Sequence, residues 1–246
     1  ETEPLSSFQV EYPAIPAMHA ASSILSEEGA AGWRGTGPSG DPLASINPTT
    51  PLKPLEGDEV PRDSLTEVIL RRGSSRTFAH APISFAQLST ILDRATRGVP
   101  ADFLEPQGAS LNTLYLIVNA VDDLAPGSYV YHRRERALEL LRQGNFRRQA
   151  GYLGLEQELP ADASVNVYCL ARLDPILARF GNRGYRAAQI EGGILGGKLY
   201  LGAYAQRLGA TGLTFYDDDV TEFFSPNAAG KSVMFLAAIG HPKKRA

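Results

Sequence analysis

The chain has 246 residues, of which 43% are hydrophobic and 21% charged, as in a globular protein with a sizeable core. Its formal net charge of −3 excludes a globally basic nucleic-acid-binding protein. No apolar stretch predicts a membrane span or a signal peptide. Because Cys169 is the only cysteine, no intrachain disulfide is possible, and we expect a cytoplasmic protein.

The first 60 residues differ from the rest of the chain. They contain eight prolines and a glycine-rich patch at residues 29–40, with little apolar periodicity. This composition predicts a Pro/Gly-rich linker or an arm that wraps a neighbour, over residues 1–60. One short helix is predicted within it, at residues 16–28.

Regular patterns begin at Pro61 and predict one domain over residues 61–246. Ser64 and Glu67 begin a short helix that ends near Gly73, and Ser84 and Gln87 form the capping box of a second helix. The remaining predicted elements are strands at 113–119, 128–132 and 137–141, a helix at 146–153, a strand at 165–171, a long helix at 185–208, a short helix at 217–224 and a strand at 232–239. Their mixed order, with a hairpin at 133–136, predicts an α+β fold.

Several reactive residue types have ordinary structural interpretations. Cys169 lies in an alternating apolar run, which favours a buried strand position over a nucleophile. The histidines lack partners at metal-ligand spacing, so no metal site is expected. The aspartates at 217–219 favour a helix N-terminus over a cation site. Hydrolase, P-loop and Rossmann motifs are absent, and no catalytic residue can be assigned.

The most informative stretch follows the first capped helix. It contains the guanidinium and hydroxyl groups of Arg71, Arg72, Ser74, Ser75 and Arg76. Guanidinium forks and hydroxyls suit a phosphate or a polyhydroxylated chain. The alternative is an ordinary basic helix C-terminus. A second basic run at 243–245 is either a solvated terminus or another side of the same anion site.

The long helix contains many glycines, which helix propensity disfavours. They are Gly192, Gly193, Gly196, Gly197 and Gly202. Close approach of another backbone, from a partner helix or a flat cofactor, would explain them.

Four segments in chain order resemble the nitroreductase-like FMN flavoproteins, most closely the SagB/ThcOx-type dehydrogenase branch. They are 72–78 (RGSSRTF), 126–131 (PGSYVY) followed by 137–141 (ALELL), 184–186 (GYR) with Glu191 and Gly193, and 208–218 (LGATGLTFYDD). The resemblance covers about three quarters of the chain, from the run before Arg71 to the end.

The resemblance implies an α+β fold with a mixed, largely antiparallel sheet flanked by helices. It also implies a long central helix at the interface of a homodimer or a tandem-domain pseudo-dimer, where FMN binds. Arg72, Ser74 and Arg76 would contact the phosphate, ribityl chain and pyrimidine edge. The remaining implied contacts are the backbone of Gly212, Leu213 and Thr214 facing the ring, and a late basic residue (Lys243, Lys244 or Arg245) at the phosphate.

Two segments depart from the family pattern. Residues 104–112 lack the usual Pro-Ser element that contacts the ring. Arg179 and Phe180 stand where azoline-oxidising members carry a Lys-Tyr pair, and they cannot offer the same proton transfer. This argues against thiazoline or oxazoline oxidation. Tyr185, Tyr216 and Arg179 are the candidate substrate-side groups.

The resemblance implies an FMN-dependent oxidoreductase that transfers hydride at flavin N5 to or from a small molecule or a peptide-derived substrate. One alternative is a non-catalytic scaffold domain of a larger or tandem protein that has lost flavin chemistry. A third hypothesis, an anion-binding domain unrelated to flavin, explains the arginine cluster but none of the later segments.

Overall fold

The computed structural model describes Glu3 and residues 5–34, 45–104 and 109–243. The helices are α1 (Ala14–Ala21), α2 (Glu27–Trp33), α3 (Leu65–Arg71), α4 (Phe85–Ala95), α5 (Arg147–Leu153), α6 (Glu158–Asp162), α7 (Leu173–Phe180), α8 (Gly184–Ala205) and α9 (Asp217–Phe224). The strands are β1 (Thr49–Pro51), β2 (Asn112–Val118), β3 (Gly127–His132), β4 (Ala137–Gln143), β5 (Val165–Ala171), β6 (Gly209–Leu213) and β7 (Ser232–Gly240).

The seven strands form one sheet in the order β1-β4-β3-β2-β5-β7-β6, and neighbouring strands are antiparallel. All residues of β5 are buried, so helices cover both faces of the sheet there. The α+β fold with an antiparallel sheet flanked by helices is therefore confirmed. The bounds of β5 and α9 are those that the sequence predicts.

Each face of the sheet has its own layer of helices. On one face, Ile91 of α4 and Leu199 of α8 pack in the same core as Cys169. On the other face, Phe224 of α9 meets the ring of Tyr168 edge-on, with the ring centroids 5.4 Å apart. Cys169 is fully buried in β5, as the sequence predicts, and this burial raises the pKa of its thiol.

The glycines of α8 lie on two sides of the helix. Gly192 and Gly196 face β7, and a Cβ at Gly196 would lie 2.7 Å from Cζ of Phe235. Close packing of helix on strand therefore explains this inner pair. On the outer side, no described atom beyond the helix's own backbone lies within 4 Å of a Cβ built at Gly193 or Gly197.

Local capping patterns predict two helix starts correctly. Ser64 with Glu67, and Ser84 with Gln87, each form a complete capping box. In α3, however, Val68 is the one buried residue, so apolar packing holds this helix by a single side chain.

The predicted helix at residues 16–28 is wrong in its bounds. The chain instead forms α1 and α2, which are separated at Ser22–Ser26. Ser22 Oγ donates to the carbonyl of Met18 at 2.7 Å where α1 ends, and Ser26 Oγ accepts from Gly29 N–H where α2 begins. The sequence patterns also miss β1, α6 and α7.

Residues of the predicted arm pack on the domain at several places, including the end of α1 and β1. Near the end of α1, Arg183 donates to the Ser22 carbonyl at 2.9 Å, and Arg186 donates to the His19 carbonyl at 3.1 Å. Two guanidiniums thus bind carbonyls that a helix C-terminus leaves unpaired. Farther along, β1 joins the edge of the sheet beside β4.

A buried acid holds the approach to β1. Glu139 Oε1 accepts from the backbone N–H of Ile46 at 3.1 Å and of Asn47 at 2.9 Å. Its second oxygen lies 2.6 Å from Nε2 of His132. Burial acts to raise the pKa of Glu139, but these hydrogen bonds outweigh burial and lower it.

Candidate functional site

The segment after α3 turns away from the helix and lies against β6. Arg72 has an extended backbone, which ends the helix, and Ser75 N–H donates to the Ala210 carbonyl at 2.9 Å. Ser75 is buried, whereas Arg72, Ser74 and Arg76 are exposed. The side chains predicted to bind a ligand therefore line an accessible surface anchored to the sheet.

Arg71 differs from its neighbours in this run. Its guanidinium lies 2.7 Å from Asp63 and donates to the Tyr204 carbonyl at 3.0 Å. Within the described ranges, by contrast, no carboxylate lies at ion-pair distance from Arg72 or Arg76. Two of the arginines therefore remain available to an anion, while the first fastens α3 to α8.

The basic C-terminal run comes to the same place. Phe78 and Pro242 form an antiparallel bridge, and Lys243 N–H donates to the Thr77 carbonyl at 3.3 Å. Lys243 is exposed and lies beside the residue that follows Arg76. The two basic segments, which the sequence could not connect, are thus neighbours. Lys244 lies outside the described residues.

The third part of the site is the end of β6 and the residues that follow it. Gly212 and Thr214 are exposed and Leu213 is half-buried. Gly212 N–H donates to the hydroxyl of Tyr200, a side chain of α8 that the sequence analysis did not single out. The same hydroxyl lies 3.4 Å from Ser74 Oγ.

Tyr200 also contacts the first free arginine. The Arg72 guanidinium carbon lies 5.5 Å from the centroid of the Tyr200 ring, within cation–π range. Three predicted ligand contacts, Arg72, Ser74 and Gly212, therefore meet at one tyrosine. Its signal in the sequence is weak, because a tyrosine in a helix at core spacing is ordinarily a packing residue.

The donor set fits a phosphorylated, hydroxyl-rich ligand. Arg72 and Arg76 present guanidinium forks and Ser74 presents a hydroxyl. Gly212 adds a main-chain N–H with no side chain of its own in the way, although the Tyr200 hydroxyl accepts this N–H here. Charge-assisted donors of this kind bind phosphate oxygens well. The exposed strand end gives a planar group a backbone wall to lie against.

The candidate substrate-side groups do not gather at one place. Arg179 donates to the Arg34 carbonyl at 2.8 Å, so it holds the arm. Tyr216 is 37% exposed and its ring lies 5.3 Å from that of Tyr152. Tyr185, at the start of α8, is 38% exposed.

Tyr185 lines a cavity at one end of α9. The cavity has a volume of about 540 Å³ and lies between α9 and the start of β7. Asp217, Asp218 and Glu222 also line it, which gives it an acidic wall. The aspartates occupy the first turn of α9, as predicted, where the helix dipole favours negative charge.

A buried carboxylate that the sequence reading left without a role fixes the chain before β2. Glu191 Oε2 accepts from the backbone N–H of Leu111 at 2.7 Å and of Asn112 at 2.8 Å. Burial raises the pKa of Glu191, although these hydrogen bonds oppose the shift. This contact holds the end of the segment that departs from the family pattern, of which residues 105–108 lie outside the described ranges.

Two features are absent from the described part of the chain. No group of three or more His, Cys, Asp or Glu side chains there is arranged to hold a metal ion. No helix there is both long and apolar enough to cross a bilayer.

Comparisons with known proteins show which family and which folds the chain resembles. Residues 69–241 match the model of the Nitroreductase family. A protein of Methanocaldococcus jannaschii described as a nitroreductase is 24% identical over 168 residues, which cover 64% of this chain and 82% of the relative.

Two solved structures share the fold. A protein of Anabaena variabilis, described as a nitroreductase, has a TM-score of 0.76 and 24% identity over 96% of this chain and 49% of its own. This chain thus spans about half the length of that protein. A Vibrio harveyi NADPH:FMN oxidoreductase complexed with NAD⁺ has a TM-score of 0.51 and 16% identity, over 74% of this chain and 70% of its own.

Proposed function

Because the chain belongs to the Nitroreductase family, we propose that it is an FMN-dependent oxidoreductase with its cofactor at the surface between the 72–76 segment and β6. The main support is the position of Arg72 and Arg76. Both lie on the segment that β6 anchors, and neither has a described carboxylate partner. Members of the family generally use FMN, and the Vibrio harveyi neighbour is named for it.

Each group has a distinct task in this proposal. Arg72, Arg76 and the basic run at 243–244 bind the phosphate, and Ser74 bonds the ribityl chain. The backbone of 212–214 supports the ring and directs main-chain dipoles at its polar edge. When bound, FMN supplies hydride transfer at its N5 atom. The protein's own residues bind, orient and limit access, and none is assigned as a proton donor.

The substrate in this proposal is a small molecule or a peptide-derived group, handled as in the SagB-type branch. Among the candidate substrate-side groups, Tyr216 is nearest in sequence to the proposed ring wall, two residues beyond Thr214. Arg179 holds the arm through the Arg34 carbonyl, and the Arg-Phe sequence at 179–180, where azoline-oxidising members carry Lys-Tyr, supports a reaction other than azoline oxidation.

The partner in this proposal is a second domain of the same kind. Ile190 and Ile194 are 45% and 37% exposed on the outer side of α8, beside the open Gly193 and Gly197. An apolar helix face with glycines lets another helix approach closely. A homodimer or a tandem pseudo-dimer would cover it, with residues 1–60 as an arm, and the greater length of the Anabaena protein supports the tandem form.

Turnover separates the enzyme from the scaffold alternative. The FMN-loaded protein is mixed anaerobically with NADPH or NADH and then with a nitroaromatic or a quinone, and flavin absorbance is followed. Bleaching by the donor and recovery on adding the acceptor are expected. A protein that retains FMN but is bleached by neither donor and by no other hydride donor would be a scaffold.

Arginine variants locate the site. Arg72→Ala and Arg76→Ala should each weaken FMN binding about 10- to 100-fold, the usual effect of losing a hydrogen bond to a charged group. Arg134→Ala is the matched control, because Arg134 is exposed at the β3–β4 hairpin, far across the sheet from β6. Equal loss in all three variants would contradict the proposed position.

A further inference from the structure

Tyr200 occupies the centre of the proposed cofactor surface. Its hydroxyl accepts the Gly212 N–H and lies 3.4 Å from Ser74 Oγ, and its ring lies under the Arg72 guanidinium. These are the groups that the proposed function assigns to the ribityl chain, the ring edge and the phosphate. One protein side chain therefore uses the donors that a bound ligand needs.

We propose that Tyr200 is an internal occupant of the cofactor site, which the ligand must displace to bind. This inference rests on the proposed function and adds a positioning residue that sets the affinity of the site. The Tyr200 hydroxyl takes the acceptor role that a ligand oxygen takes later. The free energy of FMN binding is then the gain from hydrogen bonds between FMN and the site minus the loss of the hydrogen bonds that Tyr200 makes in the empty site.

The fold gives the displaced ring somewhere to go. Side chains on a helix lie over the preceding turn, so the space beside Gly197 is within reach of a rotated Tyr200 ring. Nothing described beyond the helix's own backbone lies within 4 Å of a Cβ at Gly197. A larger residue there would block this rotation, and the partner proposed for this face of α8 must leave the space beside Gly197 open.

Tyr204, one turn further along α8, provides the contrast. Its hydroxyl lies 3.4 Å from Ser75 Oγ, and Ser75 is buried and bonded to β6 through its backbone. Tyr204 therefore belongs to the anchor beneath the surface. The two tyrosines have the same chemistry and different neighbours, and they form a matched pair for mutation.

The test is a titration with FMN, followed by quenching of flavin fluorescence, for the wild type, Tyr200→Phe and Tyr204→Phe. Removing the Tyr200 hydroxyl frees Gly212 N–H and Ser74 while keeping the ring. We expect the Kd of Tyr200→Phe to fall about three- to tenfold, the value of one net hydrogen bond, and that of Tyr204→Phe to change less than about twofold. Structural damage would weaken binding, so tightening is diagnostic.

The outcomes separate the two proposals. If the wild type binds FMN and Tyr200→Phe binds it more weakly or equally, the displacement model is wrong and the proposed function stands. If Tyr200→Phe alone binds FMN, both are supported. If no variant binds FMN, both fail. In the ligand-free protein, an unchanged Gly212 amide resonance in Tyr200→Phe would also overturn the displacement model.

Discussion

Glu191 is predicted to be indispensable for the chain segment that enters β2. Its side chain is 1% exposed, so water cannot replace it as a hydrogen-bond acceptor. Glu191→Ala leaves the N–H groups of Leu111 and Asn112 without their acceptor. Each buried N–H donor that loses its acceptor costs about 1–3 kcal/mol, so the two donors together should lower the free energy of unfolding by about 2–6 kcal/mol.

A second substitution separates hydrogen bonding from charge. Glu191→Gln keeps an oxygen for the two N–H groups but cannot ionise. Since burial raises the pKa of Glu191 in the folded state above its ordinary value of 4.5, the folded protein binds the proton more tightly than the unfolded chain. Wild-type stability therefore falls relative to Glu191→Gln as the pH rises from 4.5 through the raised pKa.

Urea denaturation followed by circular dichroism, repeated across that pH range, measures both effects. Glu222→Ala is the control, because Glu222 is an exposed acid on α9 and should change the unfolding free energy by less than about 0.5 kcal/mol. A loss below about 1 kcal/mol for Glu191→Ala would refute the argument, as would equal pH profiles for the wild type and Glu191→Gln.

Two further predictions concern packing and the arm. Gly209→Ala should lower the free energy of unfolding by about 1–3 kcal/mol, because its Cβ would lie 2.8 Å from Cγ of Pro242. Gly32→Ala, in open space on α2, should raise this free energy by up to about 1 kcal/mol. Urea or thermal unfolding measures both, and the opposite order would contradict the packing. Hydrogen bonds from His132 and from the backbone before β1 lower the pKa of Glu139 against the effect of burial, so the stabilisation it provides is present above pH 4.5 and is lost as the pH falls through the lower folded value. The protection factors for hydrogen exchange at β1, which correct for the intrinsic pH dependence of exchange, should therefore fall in acid in the wild type. In Glu139→Ala they should be low at every pH, and high protection factors in the variant would show that the carboxylate does not hold the arm.

Local chemistry explains which parts of the fold the sequence predicts. The capping boxes at Ser64 and Ser84 depend on residues three positions apart, and the apolar alternation of β5 on neighbours within one strand. All residues that produce these signals lie within a few positions of one another in the sequence. The sequence patterns miss β1 because this strand has three residues and is defined by its pairing with β4.

The candidate site shows the same limit. Arg71 and Arg72 are adjacent and chemically identical, yet Asp63 neutralises the first and Tyr200 lies beneath the second. Neither partner is visible in the motif itself, because both contacts join distant parts of the chain. The meeting of the basic segments at Thr77 and Lys243 likewise depends on tertiary pairing.

The central claim is that this chain binds FMN through the 72–76 segment and β6. The most direct measurement is the visible absorbance spectrum of the purified protein after incubation with FMN and removal of free flavin by desalting. Retained flavin bands in the wild type, lost in the Arg72→Ala/Arg76→Ala double variant, are the predicted result. A folded, colourless wild type with FMN in excess would contradict the account.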